Sequence, residues 1–169
     1  PIAYYPHNYH FLSFAATMAG RSSQAIAAAR SVVSNIPIDV ARAVPPVEPL
    51  LAYAHLTLVT FGRWDDVLAE PQPPADLAFA TALVQYARGV AHAARDDVAA
   101  ARAALQTVSA TARATEDEVG RAVLDIATHA LAGEIDMRTG NHSGAETHFR
   151  QATAIEDGLL YMEPPHWYY

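Results

Sequence analysis

Between residues 119 and 137 the apolar positions fall on two stripes of helical period. One runs through Val119, Val123, Ile126, Ala130 and Met137, the other through Leu124, Ala127, Leu131 and Ile135. A helix with two apolar stripes packs against two neighbours. The same periodicity predicts helices at about 7–19, 22–35, 47–61, 64–70, 75–94, 97–112, 116–139 and 142–158. Two proline clusters, Pro45, Pro46 and Pro49, then Pro71, Pro73 and Pro74, mark the main breaks, because proline cannot continue a helix interior. Thr115 and Glu118 have the spacing of a capping box at the start of the 116–139 helix. No segment sustains the alternation of a strand, so the fold class is all-α.

The junctions between these helices repeat. "MAGRSSQAIAAAR", "TFGRWDDVLAE" and "RTGNHSGAETHFRQA" each carry a glycine followed five positions on by a small or apolar residue: Gly20 with Ala25, Gly62 with Val67, Gly140 with Ala145. "AARDDVAAARAAL" fits as a fourth if Asp96 takes the glycine place and Ala101 follows. The pattern reads as a helix ending in a left-handed residue, then an antiparallel helix whose small residue sits where the axes touch. Seven positions before the four turns lie Ser13, His55, Gly89 and Gly133, small at three of the four. Successive turn residues (20, 62, 96, 140) are 42, 34 and 44 apart.

On these residues, and most closely on "AGEIDMRTGNHSGAETHFRQA", the chain resembles a tetratricopeptide repeat (TPR) protein. "YYPHNYHFL" and "EPPHWYY" look like segments of long bacterial members of that family. The resemblance implies one domain over 1–169, an α-solenoid of about four stacked helical hairpins. Its units are about 6–44, 47–74, 75–114 and 115–158, with 159–169 a tail or the start of a further unit. It further implies a concave groove binding a protein or peptide and lined by His7, His10, Phe14, Tyr86, Val90, Glu134, Met137 and Arg138. Aspartate at the third turn and a short second helix in the second hairpin depart from the family pattern. A compact bundle of the same hairpins is the competing topology.

Composition narrows the chemistry. An apolar fraction of 51% and a charged fraction of 17% belong to a folded chain. Absence of cysteine removes disulfides and thiolate chemistry, and absence of lysine removes a Schiff base or phosphate-loop lysine. The net charge of -7 argues against nucleic acid and anionic membranes as partners. No apolar run approaches a membrane span. Arginine as the only strong base, in an alanine-rich chain, suggests a GC-rich bacterial genome. The chain opens without methionine or a leader pattern, which reads as a cytoplasmic excerpt of a longer protein.

The candidate chemistry is histidine. "YYPHNYHF" places His7 and His10 three apart, a spacing at which a helix can offer two ligands to one metal, with His55 as a third candidate and His92, His129 and Glu134 further along. The plainer reading is a helix start packed with aromatic rings. His142 and His148 read as solvated, and His129 stays open. The acidic run Glu116-Asp117-Glu118 reads as favourable charge at a helix N-terminus. No catalytic triad order, phosphate loop or His-Glu-x-x-His motif occurs. The expectation is a non-catalytic binding module with no metal and no cofactor, capable of self-association. The alternative is a histidine-based metal or small-molecule site, enzymatic or not, built from His7, His10 and His55.

Overall fold

The computed structural model describes residues 4–161 and Trp167, the side chains of Tyr4 and Tyr5 excepted. Among these the chain is all-helical, without strands. Most of the proposed terminal unit 159–169 lies outside the described residues. The helices are α1 (Tyr4–Met18), α2 (Ser22–Ser34), α3 (Ile38–Ala43), α4 (Tyr53–Thr60), α5 (Trp64–Ala69), α6 (Ala78–Ala94), α7 (Val98–Ala114), α8 (Glu118–Arg138) and α9 (His142–Asp157), with a 3-10 segment at Pro45–Ala52. No described helix is long and apolar enough to cross a membrane. Contacts divide the chain into two compact units, the first ending at Thr81 and the second beginning at Ala82, within α6.

Four turns share one geometry. Gly20, Gly62, Asp96 and Gly140 have φ of 68°, 62°, 62° and 79°, and no other described residue has positive φ. Each donates its amide three residues back, and the next residue donates five back: Gly20 to Thr17 and Arg21 to Ala16, Gly62 to Val59 and Arg63 to Leu58, Asp96 to Ala93 and Asp97 to His92, Gly140 to Met137 and Asn141 to Asp136. This is the Schellman pattern, which satisfies carbonyls left open at a helix end. Arg21, Arg63, Asp97 and Asn141 then serve as N-caps of the following helices. Aspartate tolerates the left-handed region better than most side chains, which explains how Asp96 stands in for glycine.

The small residues sit where they were expected. Ala25, Val67, Ala101 and Ala145 are each fully buried, as are Ser13 and His55 upstream. In the first unit α1 packs on α2 and α2 on α4, and the Ser13 hydroxyl donates to the Ala25 carbonyl at 2.9 Å across the α1–α2 contact. Helix α4 is buried on every side from Tyr53 to Leu58, as a central helix must be. In the second unit α8 packs on α7 and α9. A Cβ at Gly89 would lie 2.6 Å from Leu131 and 3.0 Å from Ala104, and one at Gly133 would lie 2.6 Å from the Phe149 ring. Glycine at these places sets how near the helix axes come.

The structure departs from the pattern in three places. The predicted helix 47–61 is α-helical only from Tyr53, because Pro45, Pro46 and Pro49 lack the amides an α-helix needs, and the chain winds as 3-10 instead. Within that segment Glu48 accepts from the amides of Phe79 and Ala80 at 2.8 and 3.0 Å, satisfying the open N-terminus of α6 from a distance. The six-residue α3 is an addition: Pro37 is its N-cap, and Arg42 bridges Asp39 and Asp76 at 3.1 and 2.8 Å. The expected capping box is absent. Asp117 is the N-cap of α8 and accepts from Gly120, while the Thr115 hydroxyl donates back to Thr111 at the end of α7. A second forked pair, Arg30 on Glu70 at 2.7 and 3.1 Å, ties α2 to the chain leaving α5.

Candidate functional site

The residues expected to line a groove have unlike environments. In the first unit His7 is exposed on α1, beside Phe11 with ring centres 4.7 Å apart. His10 and Phe14 are half-buried. His10 meets Tyr53 of α4 edge to face, ring centres 4.5 Å apart at 89°. That packing withdraws the imidazole from water, and with the neighbouring His7 charge it holds the His10 pKa down to about 4. His55 is buried within α4. Among the described residues no three His, Asp or Glu side chains are disposed to hold a metal ion, so His7, His10 and His55 do not form a three-ligand set. The "YYPHNYHF" segment forms the first turns of α1, with its second histidine turned to an aromatic wall.

In the second unit Tyr86 and Val90 are buried, 5% and 6% exposed, and offer little open surface. The Tyr86 ring meets Trp167 at 5.0 Å. Burial pushes its phenol well above the usual range, and the Glu134 carboxylate adds to the shift. Glu134 is half-buried on α8, whereas Met137 and Arg138 are exposed at its end. Met137 borders an open cleft of about 610 Å³ whose other walls come from α9: His142, Glu146, Phe149, Arg150 and Thr153. Phe149 supplies an apolar floor, packed over Gly133. On the rim Arg150 is paired with Glu146 at 2.7 Å.

Sequence reasoning missed the histidines that do meet. His129 of α8 and His148 of α9 bring their Nδ1 atoms to 3.1 Å, ring centres 5.4 Å apart. His148 Nε2 lies 4.0 Å from Asp136 Oδ2, and that oxygen accepts from the Asn141 side-chain amide at 3.0 Å. Asn141 Oδ1 in turn accepts from Gly144 at the start of α9. A Cβ at Gly144 would collide with the Asn141 amide and the Asp136 carboxylate, so glycine keeps that corner open. Burial, then the neighbouring His148, hold the His129 pKa below its usual value, with Asp125 opposing. The reading of His148 as solvated is therefore corrected. The signal was present in the hairpin register: if 133 faces 145, the turn before it on α8 brings 129 against 148 or 149.

No family model matches the chain, and neither a curated protein nor a solved structure does.

Proposed function

We propose that the chain is a non-catalytic protein- or peptide-binding module built as a TPR-like α-solenoid, with its ligand surface on the second unit. The observation that carries this reading is the turn repeated four times in one hydrogen-bonding pattern, each followed at the same offset by a buried small or apolar residue. Stacked helical hairpins of one design are how solenoid proteins form extended recognition surfaces. The cleft bordered by Met137 and floored by Phe149 supports the location. It pairs apolar surface with a charged rim, and Arg138 beside it can donate two parallel bonds to a carboxylate.

The test is selection of a displayed peptide library on the full chain, then calorimetric titration of the enriched peptides. Met137→Glu and Arg138→Glu, both on exposed positions, should weaken binding about tenfold or more, a change of about 1.4 kcal/mol or above. Failure of any sequence to enrich over a control protein, or affinities untouched by both substitutions, would overturn the reading.

A further inference from the structure

We propose that His129 and His148 form a proton-sharing latch that holds α9 on α8 and releases when both imidazoles are protonated, making this hairpin an acid-sensitive element. The geometry is that of a shared proton. The ring centres are farther apart than the Nδ1 atoms by about two ring radii, so the nitrogens lie on the line joining the rings. They face each other head-on, where two ligands converging on one metal ion would be angled.

A neutral imidazole has one donor and one acceptor nitrogen. A bond between two Nδ1 atoms therefore requires one of them to carry hydrogen and the other to be bare. A first added proton is compatible with the latch: His148 can hold it on Nε2, facing Asp136, while its Nδ1–H still donates to bare Nδ1 of His129. A second proton is not compatible. Two N–H groups would then point at each other at 3.1 Å, each carrying positive charge.

Two carboxylates stand near the pair. Asp136 faces His148, and Asp125 lies one turn before His129 on α8. On α9 Glu146 is engaged by Arg150. On α6 and α7 His92 pairs with Asp97, and Glu134 of α8 bears on Tyr86. The latch also sits one turn from Gly133, whose open side is covered by the Phe149 ring. Through Asp136 and Asn141 it reaches the N-cap of α9. Its loss thus acts on the start and the first contacts of one helix.

Imidazole nitrogen spectra of the 15N-labelled chain, recorded from pH 7.5 to 4.5 with amide exchange on the same samples, test this directly. At neutral pH one of the two histidines should carry its hydrogen on Nδ1 and the other on Nε2. On acidification both rings should come to carry hydrogen on both nitrogens, the Nδ1–Nδ1 hydrogen bond should be lost, and α9 protection, corrected for intrinsic rate, should fall about tenfold relative to α7. His129→Phe should abolish that fall. His129→Gln, which keeps an acceptor for His148 but cannot gain charge, should keep α9 protected at acid pH. Both histidines in the Nε2–H form at neutral pH, or an unchanged fall in His129→Phe, would overturn the proposal. The spectra of the unsubstituted chain decide the matter even if a variant folds poorly.

Discussion

The first hairpin, α1–α2, and the last, α8–α9, are closed by the same turn and use their histidines in opposite ways. Both end on a left-handed glycine, Gly20 or Gly140, with the same pair of backward bonds. Both bury an alanine five residues on. Ahead of the first turn His10 leans out of its hairpin onto Tyr53 of α4 and loses its affinity for protons to an aromatic neighbour. Ahead of the last turn His129 crosses its hairpin to another imidazole, within a chain of polar contacts that ends at a helix cap. The turn fixes how helices approach, but the chemistry of a histidine is fixed by the group the neighbouring helix presents.

Removing that neighbour is the strongest way to break the contrast. Tyr53 is 2% exposed, and Tyr53→Ala should destabilise the protein by about 3–5 kcal/mol, the range for deleting a buried aromatic side chain. His10 should meanwhile regain a pKa near the ordinary histidine value. Denaturant unfolding and histidine NMR titration read the two effects separately. A low His10 pKa in the variant would mean that Tyr53 is not its cause.

The close approach in the last hairpin offers the next test. Gly133→Val places carbon where the Phe149 ring lies, and overpacking of this kind costs about 1–3 kcal/mol. The His129–His148 nitrogen contact should be lost with it, visible in the imidazole spectra. At the equivalent place in the first hairpin, Ser13→Ala removes only the hydroxyl bond to Ala25 and should cost about 1 kcal/mol. Equal costs at the two positions would show that glycine is not what sets the helix spacing.

Acid separates the hairpins in a different way. His10 has a lowered pKa in the folded chain, so the unfolded chain takes up its proton first. Its contribution to stability is complete above the ordinary histidine pKa of 6.5 and is lost as pH falls toward about 4. Allowing for the partly open edge of the ring, the loss is about 1–2 kcal/mol. His10→Phe should flatten thermal midpoints across that window, leaving the local loosening of α9 in place. A variant as acid-sensitive as the parent would remove His10 from the account.

The features legible in the sequence were those written within a few residues of each other. Glycine before a small residue announces a left-handed turn, and Gly20, Gly62 and Gly140 needed no partner to be read. Even Asp96 was recoverable, because the offset to Ala101 repeats. Ser13, Gly89 and Gly133 followed from counting back one register from those turns. What escaped reading depends on distant groups. Glu48 reaches amides of α6 that no local pattern links to it. Tyr53 covers His10 from a helix far along the chain. Thr115 and Glu118 had the spacing of a capping box, yet Asp117 is better placed to reach the open amide of Gly120. The His129–His148 pair lay within reach of the hairpin register and was lost by judging each position alone.

The smallest expected effect concerns the caps themselves. Asn141 and Asp97 accept amide hydrogens from the first turns of α9 and α7. Arg21 and Arg63, at the corresponding places, provide no side-chain cap to the helix amides. Their backbone angles are nevertheless alike: φ and ψ are -89° and 70° at Arg21, -84° and 66° at Asn141. An asparagine at position 21 would therefore be received in a conformation that already caps a helix. Arg21→Asn should raise stability by about 0.5–1 kcal/mol, and Asn141→Ala should lower it by about 1 kcal/mol or slightly more, since it also strips Asp136 of a partner. Paired unfolding curves measure both. If Arg21→Asn gives no gain, backbone likeness is insufficient to transfer a cap between the two hairpins, and the surroundings of the first turn must hold the α2 amides by other means.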